Sequence, residues 1–260
     1  MHPDLFNIGP LTLHTYGLFV ALGFVAGILV AIRLGKSVGI DPNSVMDMGF
    51  IIILSGLIGS RVVYIIIDFS HYIKNPLDMI KIWQGGLVFS GGLVAVIIVM
   101  LLYVKHHGYN IWTIGDLWAP AAAIGQAIGR IGCFFAGCCY GRPTDVPWGV
   151  VFTDPKCIAT LNIPIHPTQL YSSLSSFIIF IILIILHSKK KFEGQVFLWF
   201  LIFHSTARLF LERFRGDPRG VFLTNDLTLT QFIALIILVS AVTALFFFKP
   251  KEKKEKPSPK

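Results

Sequence analysis

Ionisable side chains interrupt the apolar stretches of this sequence, Arg61, Asp116, Arg130, Arg208 and Glu212 among them. A charge at the centre of a bilayer costs at least about 2.5 kcal/mol on insertion scales, so such groups turn inward, find partners and commonly mark a site. Arginines outnumber carboxylates here. A guanidinium stays charged when partly buried and takes a phosphate through two parallel hydrogen bonds. Arg208 and Glu212 are four residues apart and can pair across one helical turn. Arg215 follows one turn later if the helix continues, which makes the stripe R-x-x-x-E-x-x-R. Arg130 stands in a second cluster, GRIGCFFAGCCYGR at 129–142. The pattern predicts an anion site, and the abundant phosphate in a membrane is the lipid headgroup. The bland alternative is interfacial arginines that snorkel. It suits Arg219 and Arg213, and it suits Arg61 and Arg208 poorly, because apolar residues flank both.

Other polar groups accompany the arginines. Tyr16 stands in LHTYGLF, and HPTQLYSS at 166–173 brings His166, Thr168, Gln169 and Tyr171 to the start of an apolar run. Pro167 suits a first helical turn, where its missing N–H is not needed. His166 there is either a cap or a participant. QGGLVFSGGL, 84–93, carries two glycine pairs flanking Ser90. They fit a re-entrant segment whose backbone lines a cavity, or close helix packing through small residues. The cysteines have three readings. They are inert small residues in a glycine-rich loop, or some of Cys133, Cys138, Cys139 and Cys157 form a disulfide on an oxidising face, or they form a metal or redox site. C-x4-C-C lacks the paired C-x2-C spacing of common zinc sites, so neither metal nor cofactor is expected.

These residues need elements to hold them. The chain has 260 residues, 54% of them hydrophobic and only 14% charged, with a mean hydropathy of +0.72. A soluble domain would carry about a quarter charged residues. Several runs reach the roughly 20 apolar residues that cross a bilayer, at roughly 14–32, 46–67, 88–104, 111–132, 170–187, 195–212 and 230–248. The expected fold is an all-α integral membrane protein with seven transmembrane helices. Residues 1–250 make one transmembrane catalytic domain, with a small extracytoplasmic subdomain at 133–169, and 251–260 make a lysine-rich tail. No Lys or Arg precedes the first apolar run, so no cleaved signal peptide is expected there. The net charge of +8 does not point to nucleic acid, because the lysines flank apolar spans. Arg33, Lys36, Lys105, Lys189, Lys190, Lys191 and the tail mark the cytoplasmic side. The C-terminus is then cytoplasmic and the N-terminus outside.

Taken together, YGL at 16–18, GSRVVY at 59–64, QGGLVFSGG at 84–92, GRIGCFFAGCCYGR at 129–142, HPTQLY at 166–171 and RLFLERFRGD at 208–217 resemble the bacterial prolipoprotein diacylglyceryl transferases. Order, spacing and span layout agree over nearly the whole chain. The resemblance implies a reaction in the bacterial inner membrane, the first step of lipoprotein maturation. The diacylglyceryl group of phosphatidylglycerol moves to the lipobox cysteine of a preprolipoprotein, and glycerol 1-phosphate leaves. It implies phosphatidylglycerol, the lipobox peptide and membrane lipids as partners. It implies Arg130, Arg208, Glu212 and Tyr16 as catalytic; for the base, His166 is the nearest candidate on the same side, and an arginine field that lowers the substrate thiol pKa is the alternative. Arg61, Arg130, Arg208, Arg215, Ser90, Gly91 and Gly92 are the implied headgroup contacts. The chain departs from the family signature G-R-x-G-N-F-x-N-G-E. Cys133 stands for the first Asn, Ala136 for the second and Cys138 for the Glu, while Ser90 replaces the usual His before the second glycine pair. The competing readings are a diverged paralogue using another thiol or phospholipid, an anion channel or transporter, and a non-catalytic lipid-binding scaffold. The bias of the polar set toward one half of the bundle disfavours the carrier.

Overall fold

The computed structural model describes residues 3–8, 11–81, 85–217, 222–224 and 227–247. The lysine-rich tail and Arg219 lie outside the described residues. A hairpin of β1 (Asp4–Ile8) and β2 (Leu11–His14) leads into α1 (Thr15–Ser37). There follow α2 (Pro42–Ile67), the single turn α3 (Phe69–Tyr72), a 3-10 turn (Pro76–Ile80), α4 (Phe89–His106) and α5 (Ile111–Ala136). A short ladder pairs β3 (Val150–Val151) with β4 (Pro164–Ile165) before α6 (Thr168–Lys189) and α7 (Gln195–Glu212). A second hairpin, β5 (Phe222–Thr224) and β6 (Leu227–Thr228), precedes α8 (Leu229–Phe247).

Among the described residues, α1, α2, α4, α5, α6 and α8 are long and apolar enough to cross a membrane, and the chain is a multi-pass membrane protein. The run expected at 195–212 is a helix of 18 residues, but Gln195, His204, Arg208 and Glu212 dilute its apolar character, and it stands outside those six. Helix starts follow local chemistry. Asp41 caps α2, its carboxylate accepting from the amides of Asn43 at 2.9 Å and Ser44 at 3.4 Å, with Pro42 in the first turn.

The chain divides into two compact units. Within Ile32–Ile114, α2 packs on α4 through glycine. A Cβ on Gly59 would lie 2.7 Å from the Gly91 carbonyl oxygen, and one on Gly92 would lie 2.7 Å from that of Gly56. The second pair of QGGLVFSGGL therefore serves close packing. The first pair, Gly85 and Gly86, has φ of 88° and 75° and belongs to the non-helical lead into α4.

Arg61 is buried in the same unit, and backbone carbonyls take its guanidinium. Nη2 donates to Asp78 at 2.6 Å and Lys81 at 3.4 Å, Nη1 to Gly85 at 2.7 Å and Gly86 at 3.1 Å, and Nε to Met79 at 3.0 Å. The Tyr64 and Tyr72 rings flank it at 5.7 and 5.4 Å. Its donors are spent on fastening the segment that leads into α4. Arg61→Lys places one point charge where a fork is needed and strands several carbonyls, at about 1–3 kcal/mol for each buried acceptor left unmade. Amide exchange of residues 76–81 is expected to speed up at least about tenfold, against little change in α5. Unchanged exchange in 76–81 would refute the fastening role.

The other unit joins Met1–Ala31 to Gly115–Lys260. Here α1 meets α5 where a Cβ on Gly23 would stand 2.7 Å from the Gly125 carbonyl oxygen. Ala119, Ala123, Ile179, Leu183 and Val196 form a core from α5, α6 and α7, banked by Phe197, Trp199, Phe200 and Phe203. Asp116, fully buried, accepts from Lys190 Nζ at 3.0 Å, the Gly194 amide at 2.9 Å and the Phe197 amide at 3.0 Å. Gly194, the residue before α7, has no side chain with which to cap it, and Asp116 does so from α5.

The irregular segment begins at Gly137 rather than 133, because α5 runs to Ala136. Phe152, Cys157, Ala159 and Ile165 give it a small core, against which Phe134 and Tyr140 pack. Backbone bonds lace it to neighbouring helix ends. The Gly141 amide donates to the His166 carbonyl at 3.1 Å and the Arg142 amide to that of Phe214 at 2.9 Å.

Candidate active site

Helical spacing assembles one pocket from three helices. Gln126 and Arg130 are one turn apart on α5, Ser172 and Ser176 on α6, and His204 and Arg208 on α7, and all six line it. Ser173 Oγ, next to the pocket on α6, donates to the Ala127 carbonyl at 2.7 Å and ties α6 to α5. Arg208 Nη2 stands 2.8 Å from Glu212 Oε2, and the other oxygen of the buried Glu212 accepts from Thr230 Oγ1 at 2.9 Å and Thr228 Oγ1 at 3.3 Å. Glu212 thus fixes Arg208 and balances its charge, while Arg130 brings a second positive charge to the same walls. Two guanidiniums, one carboxylate, an imidazole and serine hydroxyls suit a singly charged phosphodiester.

His204 is the group that the sequence reading missed. It lies four residues before Arg208 in LIFHSTARLF, a spacing that on a helix puts both on one face. Its ring stacks on Phe200 at 5.6 Å. His166 is not among the pocket walls. Its Nδ1 lies 3.3 Å from the Tyr171 hydroxyl, which accepts from Trp148 Nε1 at 2.7 Å, and its ring meets Phe214 edge-on at 5.2 Å. It is a clasp between the 137–167 segment and the end of α7.

Arg215 does not continue the α7 stripe, because the helix ends at Glu212. It bridges Gly141 instead. Its Nε and Nη2 both bond Asp217, each at 2.9 Å. Burial works against the charged guanidinium, but hydrogen bonds to Asp217 and Cys139 outweigh it and hold Arg215 above an ordinary arginine. Tyr16 opens α1, its backbone against Gly132 of α5, and its hydroxyl is within electrostatic reach of Arg130 and of Cys133, Cys138 and Cys139. Arg61, Ser90, Gly91 and Gly92 belong to the Ile32–Ile114 unit. There Ser90 is exposed at the start of α4, and the two glycines face α2.

The cysteines gather. The sulfurs of Cys133, Cys138 and Cys139 lie within 4.8 Å of one another, and among the described residues they form a group able to hold a metal ion. Cys157 sits apart in the small core of the 137–167 segment, and among the described residues no disulfide joins any of the four. Gly137 at φ 70° and Cys139 at φ 60° turn the chain back on itself after α5. From α6, Thr168 Oγ1 donates to the Cys139 carbonyl at 2.8 Å and Gln169 Nε2 to that of Cys138 at 2.9 Å. Hydrogen bonds with Cys133 and Cys138 hold the Cys139 thiol below the ordinary range, and those with Cys133 and Cys139 push the Cys138 thiol above it.

Comparison with known proteins bears on this arrangement. The family described as prolipoprotein diacylglyceryl transferase matches residues 3–247. A phosphatidylglycerol–prolipoprotein diacylglyceryl transferase of Clostridium tetani is 36% identical over 242 residues, 93% of this chain and 96% of the relative. One of Bordetella bronchiseptica is 34% identical over 256 residues, 95% and 96% of the two chains. One of Clostridioides difficile is 33% identical over 238 residues, 92% of each.

Proposed function

The chain belongs to the prolipoprotein diacylglyceryl transferase family, and on that premise we propose that it transfers the diacylglyceryl group of phosphatidylglycerol to the lipobox cysteine of a preprolipoprotein. The observation that carries the reading is the pocket shared by Arg130, Arg208 and His204.

In this mechanism the acceptor sulfur attacks the glyceryl carbon that bears the phosphate. The S–C bond forms, the C–O bond breaks, and its electron pair stays on the departing glycerol 1-phosphate. Charge on the phosphate grows in the transition state, where preorganised donors act most strongly. Arg130 and Arg208 clamp the phosphate oxygens, Glu212 holds Arg208 in place, and His204 supplies an imidazole hydrogen bond at the leaving group. Tyr16 offers a phenol to the same region. Arg215 and His166 keep the 137–167 segment seated, and Arg61, Gly91 and Gly92 keep α2 and α4 in register. That leaves Ser90 without a catalytic part.

The reading places the protein in the bacterial inner membrane with α7 as a seventh span, since the pairing of Arg208 with Glu212 lowers the cost of both charges there. The N-terminus and the 137–167 segment then lie outside and the C-terminus in the cytoplasm, by the distribution of lysine.

The test uses purified protein in phosphatidylglycerol vesicles with a lipobox peptide. Release of glycerol 1-phosphate is expected together with a heavier, thioether-linked peptide. A peptide with serine for cysteine gives neither, because a hydroxyl is far less ionised than a thiol. Phosphatidylglycerol that binds without headgroup release by any lipobox peptide would replace this reading with the scaffold.

A further inference from the structure

We propose that Cys133, Cys138 and Cys139 are a three-thiolate zinc site whose open fourth position takes the acceptor cysteine and presents it as a thiolate. The proposal rests on the transferase reading and supplies the step that reading lacks. A thiol attacks carbon as its thiolate, yet residues 129–142 contain no histidine, aspartate or glutamate. His166 is turned to Tyr171 and Phe214, and His204 faces the phosphate pocket. Zinc supplies a thiolate without a protein base, because a coordinating thiol is deprotonated outright.

The geometry fits that metal. Zinc–thiolate bonds of about 2.3 Å put neighbouring sulfurs roughly 3.8–4.0 Å apart, and the three sulfurs already lie within 4.8 Å of one another, so closure needs a contraction of less than about 1 Å. Three protein ligands with a fourth position open is the pattern of catalytic zinc. Zinc with three thiolates carries one net negative charge. Arg130 is within electrostatic reach of Cys133, and Arg215 hydrogen-bonds Cys139, so cations complement it from two sides. The cysteines are also held in place. Cys133 is on α5, and Thr168 and Gln169 grip the carbonyls of Cys139 and Cys138. Such outer contacts orient metal ligands. Cys139 takes a left-handed backbone at φ 60°, a conformation that costs a non-glycine residue energy and concentrates at functional sites. A disulfide suits the group less well, because pairing two of the three strands the third, and Cys157 stands apart in another core.

The chemistry balances without redox change. The acceptor thiol binds zinc and its proton passes to water. The bound sulfur attacks the glyceryl carbon, the phosphate oxygen leaves with the bonding pair, and the product thioether, a weak neutral ligand, dissociates.

The full chain, purified with its thiols reduced and reconstituted with zinc alone, is expected to retain one zinc per chain and to ignore magnesium and calcium. Cys138→Ser and Cys139→Ser should hold at least about tenfold less zinc, and Cys157→Ser should hold it fully. Cobalt in the same site should show thiolate charge-transfer absorption that grows when a lipobox peptide is added and stays unchanged with its serine analogue. If the serine variants misfold, the wild-type cobalt titration and chelation still decide. Less than a tenth of a zinc per chain, a cobalt spectrum indifferent to the cysteine peptide, or a disulfide between any two of the three in the isolated protein would each overturn the proposal. Two results separate it from the function on which it rests. A chelated enzyme with undiminished turnover removes the zinc and keeps the transferase. A cobalt site that takes the peptide with no headgroup release keeps the site and removes the transferase.

Discussion

Arg208→Ala and Arg130→Ala are each expected to cut turnover by roughly a hundredfold or more, about 3 kcal/mol of barrier, in a protein that still inserts and binds lipid. The size follows from where the arginines stand. Both line one pocket between helices, and the Arg208 side chain, 17% exposed, is shielded enough for its charge to act strongly on the developing phosphate charge. Lysine at 208 should recover only part of the loss. Its ammonium keeps the charge but cannot hold Glu212 and a phosphate oxygen together with one planar fork, and Glu212 Oε2 lies 2.8 Å from Nη2 in the native pair. The measurement is single-turnover release of glycerol 1-phosphate from saturating phosphatidylglycerol, which isolates chemistry from binding. Near-normal turnover in Arg208→Ala would remove the clamp. His204→Gln keeps a hydrogen-bond donor at the pocket and should be milder than His204→Ala. The opposite order would mean that His204 serves packing alone.

The arginines were legible because a charge inside an apolar run is expensive and needs a reason. The same argument flagged Arg61 and Asp116, and it could not tell the reasons apart. Arg61 answers to backbone carbonyls and Asp116, besides Lys190, to backbone amides, partners that every residue carries and that no side-chain pattern announces. His204 could have been found, since its spacing to Arg208 is the one that paired Arg208 with Glu212. The break in the stripe before Arg215 was also signalled, by Gly216 and Pro218 just beyond it. The cysteines were legible as a group with a metal site as one of three readings, but the convergence of Cys133, Cys138 and Cys139 was not. Zinc spacing rules assume compact loops, whereas here one thiol sits on a helix and two follow a turn with Cys139 at φ 60°. A left-handed non-glycine residue is set by tertiary contacts, here those from Thr168 and Gln169. Helix positions were read closely because hydropathy sets them, α7 at 195–212 included. What hydropathy does not carry for α7 is its place among the six apolar spans, because the side chains that lower its hydropathy include the ones that build the pocket.

Asp116→Ala separates the two kinds of intramembrane charge. Asp116 is fully buried, and three donors converge on it: Lys190 Nζ and the amides of Gly194 and Phe197. Removing the carboxylate leaves two amides at the start of α7 without partners and a largely buried ammonium, its side chain 18% exposed, without its counter-ion. Breaking a buried pair by deleting one partner costs about 3–5 kcal/mol, and each stranded amide adds to it. The apparent Tm in detergent should therefore fall by roughly 6–20 °C, at about 2–4 °C for each kcal/mol in a chain of this size. Asp116→Asn keeps one acceptor for an amide and should lose less. Glycerol phosphate release per folded molecule should hardly change in either variant, because Asp116 is not among the walls shared by Arg130, His204 and Arg208. A stable Asp116→Ala protein with little turnover would place this carboxylate in the chemistry and undo its assignment as the cap of α7.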